Sequence, residues 1–190
     1  MEDTTNTENN KNNQPEREPK QTGPQIYVAS LTDYNSGRLH GSWVDATTGA
    51  DQIHTDINEM LNQSPEPDAE EWAIHDHQGF GPWTPGEHES IDTIARIAEG
   101  IEEHGDAYPA LAAELGTDEL ERFDDIYLGH WPSMTAYADE ILDDLIDLDR
   151  HIPDWIAPYV RVDTDAYARD LATELHTVTA TDGGIHIFQP

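Results

Sequence analysis

The chain has 190 residues, 40 of them acidic against nine basic, for a formal charge of −31, and it contains no cysteine. Such a balance repels duplex nucleic acid and anionic membrane and steers basic surfaces inward over about 8 Å at physiological salt. The missing thiols exclude disulfides and thiolate metal sites.

Residues 1–24, rich in Asn, Gln, Glu, Pro and Thr, offer almost nothing to bury and predict a disordered tail. They hold five acids and three bases, so the remainder keeps 35 acids against six arginines and no lysine, a net charge of −29. All fifteen aromatic residues lie between positions 26 and 188, enough with the aliphatics for a packed core there. With no signal-peptide pattern and no apolar run near the roughly 18 residues of a membrane span, a soluble cytoplasmic protein is expected.

From Gln25, QIYVASL and RLHGSWV read as two strands around a TDYNSG turn, with Leu39, Gly41 and Trp43 sharing one face. Residues 50–62 place Ile53, Ile57, Met60 and Leu61 at helical spacing, and EEWAIHD puts Trp72 and Ile74 on one strand face. Together these predict a small α+β unit over 25–88. IDTIARIAEGIEEH then carries Ile91, Ile94, Ile97, Ala98 and Ile101 as an apolar stripe opposite Glu99, Glu102 and Glu103. With DAYPALAAELG and TDELERF, stopped at Gly105 and Gly116, it makes a helical unit over 89–124. In SMTAYADEILDDLIDLD, Ser133 can cap a helix striped by Ala138, Ile141, Leu142, Leu145 and Leu148. A further helix in DTDAYARDLATEL and a hairpin turned at Asp182 and Gly183 complete a second α+β unit over 125–190. The fold class is therefore α+β, in three small domains.

The triplet His75, Asp76, His77 has the donors for zinc or non-haem iron. On a strand, however, residue 76 faces away from 75 and 77. In a chain with ten histidines a surface or packing role is favoured, and no metal is assigned. Acid pairs are too numerous for any one to stand out as catalytic, and there is no phosphate loop, GxSxG elbow or Cys nucleophile. Neither an enzyme nor a cofactor is expected. Tyr27, Trp43, Trp72 and Tyr137 are expected in the core; Trp83, Trp131 and Trp155, beside prolines, suit either a partner or packing between domains.

The acids carry the sharper signal. Asp139, Glu140, Asp143, Asp144 and Asp147 recur three or four positions apart, so neighbours on the helix lie about 5–6 Å from each other and each like-charge pair costs about 0.2–0.5 kcal/mol. No lysine interleaves to relieve this. A regular row of negative charge on a rigid rod resembles a phosphate backbone; adaptation to a salty cytoplasm, in an acidic binding or scaffold protein, is the competing account.

IYVASLTDYNSGRLHGSWVDA (26–46), EEWAIHD (70–76), YADEIL (137–142) and DAYARDL (165–171) together resemble the antirestriction family ArdA across 25–190. That resemblance implies a DNA mimic encoded by mobile elements, an elongated three-domain homodimer joined through its C-terminal domains. It implies occupation of the DNA channel of type I restriction-modification enzymes, at the methyltransferase core, blocking restriction and often modification. The family's antirestriction motif corresponds to Met134 to Leu145. Two copies would carry the charge of roughly 29 base pairs of B-DNA. On this reading Glu66, Asp68, Glu70, Glu71, Asp76, Glu99, Glu102, Glu103, Asp139, Glu140, Asp143, Asp144 and Asp147 stand where phosphates would, and neither nucleic acid nor membrane is bound.

Overall fold

The structure, a computed structural model, describes residues 23–145, 153 and 155–190. The expected tail, apart from residues 23 and 24, and the helix positions Asp147 and Leu148 lie outside the described residues. The fold is α+β, with two three-stranded antiparallel sheets among helices.

In the first sheet β1 (Gln25–Ser30) runs between β2 (Gly41–Asp45) and β3 (Trp72–Gln78). Ile26 and Val28 are fully buried and face Val44 and Ile74 of the neighbouring strands, so even-numbered positions of β1 and β2 form the inner face. Onto that face α2 (Ala50–Asn62) lays Ile53, Ile57, Met60 and Leu61, as their spacing predicts. The segment expected as a plain turn is one helical turn, α1 (Leu31–Asn35), capped by Ser30, whose Oγ accepts from the Asp33 amide at 3.3 Å.

Ser90 caps α3 (Ile91–His104) by accepting from the Thr93 amide, and Ile91, Ile94, Ile97 and Ala98 turn inward against α4 (Ala107–Leu115). Gly100 sits within α3, where glycine is about 1 kcal/mol worse than alanine. A side chain there would collide with the Tyr108 ring, so the glycine admits α4. The buried cluster continues through Leu120, Phe123 and Ile126 to Phe188 in the second sheet.

After α5 (Phe123–Ile126) come β4 (Tyr127–Trp131), α6 (Met134–Leu145), α7 (Thr164–Glu174), β5 (His176–Thr179) and β6 (Ile185–Phe188). The sheet order is β4-β6-β5, with the hairpin turned at Gly183 as expected (φ 93°). Strand β4 carries no alternating signal in the sequence, because Gly129, here at φ 107°, interrupts the pattern of YLGHW. Ser133 does cap α6, its Oγ accepting from the Ala136 amide at 3.1 Å. The two helices pack on each other, yet Ala138 and Ala168 are their only fully covered residues among those described. Among the described residues no helix is long and apolar enough to cross a membrane.

Candidate functional site: a carboxylate surface

The acids fall into four groups on different elements. Glu66, Asp68, Glu70 and Glu71 occupy the loop from α2 to β3. Asp68 holds φ 63°, a left-handed turn position that Asp tolerates better than most residues, and it, Glu70 and Glu71 are exposed. Glu66 differs: it is half-buried, with Oε1 2.9 Å from Arg38 Nη1, and so is engaged within the fold. Asp76 projects from β3, exposed, with Oδ1 accepting from the His77 amide.

A bulge in the pairing of β1 with β3 separates the histidines beside Asp76. Tyr27 pairs with Asp76 and Val28 with Ile74, which leaves His75 without a partner in the ladder. Its ring lies edge-on to Tyr34, while His77 approaches Phe80. The two imidazoles therefore make separate contacts and do not converge on a common point.

Glu99, Glu102 and Glu103 are exposed along α3, the first two flanking an open groove of about 420 Å3 that also includes Arg96. Glu103 lies 3.8 Å from the His104 ring. On α6, Asp139, Glu140, Asp143 and Asp144 are all exposed. Asp147 lies outside the described residues.

Four of the arginines are engaged within the fold. Arg38 bridges Asp33 and Glu66, Arg122 meets Glu119 at 2.8 Å, and Arg96 and Arg161 donate to backbone carbonyls. Among the described residues, then, Glu66 alone of the candidate acids has an arginine partner. Free carboxylates in neighbouring helical turns repel each other. A partner supplying Lys or Arg relieves that repulsion without first breaking an internal ion pair.

Three other acids, of which the sequence marks only Asp182, as a turn residue, serve the fold instead. Burial pushes the fully covered Asp33 carboxyl up, but the Ser64 and Ser30 hydroxyls, His40 and Arg38 outweigh it and hold it below the usual range. At Asp106, the N-cap of α4, one oxygen accepts from the Thr181 amide and hydroxyl at 3.0 and 2.6 Å. The other lies 3.0 Å from His186 Nε2, and the Tyr127 hydroxyl lies 3.0 Å from His186 Nδ1. Burial opposes ionisation of Asp106 too, and the Thr181 bonds and His186 prevail. The Gly184 amide, against some burial, and His130 hold Asp182 low. The Thr181 and His186 partners of Asp106 are 75 and 80 residues away, a separation that leaves no local pattern to read, whereas the Gly184 amide lies only two residues from Asp182.

The tryptophans also divide. Trp72 is partly buried against the core, as expected, whereas Trp43 is 45% exposed, correcting the expectation of a core residue. Its odd-numbered position points away from the face covered by α2. Of the proline-flanked three, Trp83 is buried against Phe80, Trp131 leans on Tyr137 with Nε1 donating to the Leu128 carbonyl, and Trp155 is exposed.

A family model described as "Antirestriction protein (ArdA)" matches residues 26–186, most of the chain. No curated protein matches it.

Proposed function

This chain belongs to the ArdA family of antirestriction proteins, and from that premise we propose that it inhibits type I restriction-modification enzymes as a decoy for DNA. Surface carboxylates take the places of phosphates in the DNA channel of the methyltransferase core, the enzyme's Lys and Arg release their counterions, and restriction and modification stop without a bond being made or broken. The observation that carries this reading is the α6 row: four exposed carboxylates at helical spacing, none with an arginine partner among the described residues. No residue in this mechanism needs a shifted pKa.

The inhibitor would act as a cytoplasmic homodimer of elongated three-domain subunits, divided as 25–88, 89–124 and 125–190. Leu145 (71%), Trp155 (75%) and Tyr159 (82%) are exposed in the C-terminal part, apolar surface suited to covering by a second copy.

Capture of a type I methyltransferase core at rising salt, with duplex DNA as competitor, tests the proposal. Wild-type chain should bind, lose affinity steeply with salt, and be displaced by DNA. Changing Asp139, Glu140, Asp143 and Asp144 together to Asn or Gln should weaken binding and flatten the salt dependence while leaving Tm unchanged or higher, because it removes like-charge repulsion. Unchanged potency and salt slope would refute the phosphate-mimic role of this helix.

A second reading has its own support: Asp51, Glu59, Asp118, Glu121, Asp124, Asp163, Asp170 and Glu174 are also exposed, on many elements. This is the coat of a salt-adapted acidic binding or scaffold protein. It predicts loss of stability at low salt and no displacement by DNA.

A further inference from the structure

We propose that the outer face of the first sheet is a seat for arginine side chains, centred on Trp43 and Tyr27, through which the chain grips the basic channel of its partner. The inference rests on the decoy reading and adds a contact that phosphate mimicry does not supply.

Side chains directly opposite each other on paired strands share a face. The register sets Trp43 against Tyr27 and Tyr27 against Asp76, and in the next row Asp45 against Gln25 and Gln25 against Gln78. This face is opposite the one that α2 covers. The two rings meet edge to face, with centroids 5.5 Å apart at 60°. Gly41 completes the arrangement, because a side chain there would strike the Val28 carbonyl and come within 2.9 Å of the Tyr27 hydroxyl. The missing Cβ leaves room for β1 and for the Tyr27 hydroxyl.

Carboxylates stand at both ends of this aromatic pair. Asp45 accepts from the Thr47 amide and hydroxyl, and Asp76 from the His77 amide, in each case through Oδ1. Among the described residues neither Oδ2 has a partner. An arginine is the occupant that uses every part: its flat guanidinium lies on the indole face while its edge donates to a carboxylate. A lysine ammonium answers the charge but has no plane to stack. An apolar occupant would leave both carboxylates unanswered, and the net charge of −31 repels a nucleic acid.

The test is calorimetric titration of the full chain with octa-arginine and octa-lysine peptides, which carry equal charge. Octa-arginine should bind tighter. Trp43→Leu should weaken octa-arginine binding about two- to fivefold, barely affect octa-lysine, and leave the salt slope unchanged; Trp43→Phe should keep part of the preference. Asp45→Asn with Asp76→Asn should weaken both peptides and reduce the slope. Equal loss for the two peptides in Trp43→Leu, or no loss for octa-arginine, overturns the seat. Failure of the decoy reading would register differently, as wild-type chain that does not bind a methyltransferase core.

Discussion

The two sheets make an instructive pair, because each has three antiparallel strands and a long helix beside it, yet they cover their apolar surface differently. The first closes on itself: Ile26, Val28, Val44, Ile53 and Ile57 are between 0 and 2% exposed, and α3 extends the same core. In the second, Ile187 and Phe188 are equally well covered, but as strand neighbours they face opposite sides, and only Phe188 joins the core shared with the helical layer; α6 and α7 bury one alanine each, and Leu145 reaches into solvent. Acidity does not distinguish them, since both carry exposed carboxylates. What the helices bury does: α2 and α3 each turn several large aliphatic side chains inward, whereas α6 and α7 bury only an alanine apiece among the described residues. Exposed leucine and aromatic surface occurs in both halves, at Tyr34, Leu39 and Trp43 and again at Leu145, Trp155 and Tyr159.

Perturbations of each half would break or sharpen that contrast. Ile97→Ala in the closed core should lower unfolding free energy by about 2–5 kcal/mol in urea titration. Leu145→Ala should cost under about 0.5 kcal/mol while weakening self-association in sedimentation; a large stability loss there would mean α6 is covered within the monomer. Asp106→Ala, which cuts the polar joint between α4 and the second sheet, should cost about 1–3 kcal/mol by leaving His186 and Thr181 short of a partner. Each of Asp33, Asp106 and Asp182 is held below its ordinary value of 3.8. Their contribution is present above that value and lost as pH falls below it, through the folded-state values. Asp106→Asn should therefore flatten the acid limb of stability below about pH 4 in unfolding titrations. Ser133→Ala and Ser90→Ala should each cost about 1 kcal/mol, with hydrogen exchange in α6 rising more than in α3 if the second half is the looser. Smallest of all, Glu99→Gln should leave stability within about 0.5 kcal/mol and inhibition unchanged.

Much of the architecture was legible because it is local. The stripes of α2 and α3 follow a period of 3.6 residues, and Ser133 announces the start of α6 from its position alone. Exposure of the candidate acids was equally foreseeable, since charged side chains without partners remain in water. Glu66 is the exception, drawn in by Arg38 from 28 residues away. Trp43 shows the limit most plainly. Alternation put it on a common face with Leu39, but whether that face was inner or outer depended on which side α2 would choose.

By itself, then, the amino-acid order determined the longer helices, the hairpin at Gly183, the family and the surplus of charge, all properties of neighbours along the chain or of composition. Tertiary structure alone decided that Asp33 and Asp106 are framework rather than surface, that His75 and His77 part at a bulge, and that Trp43 stands in the open beside Tyr27. Each of these depends on which distant segment arrives to desolvate a group or answer its hydrogen bonds, and a covered carboxylate and a free one look the same in a string of letters.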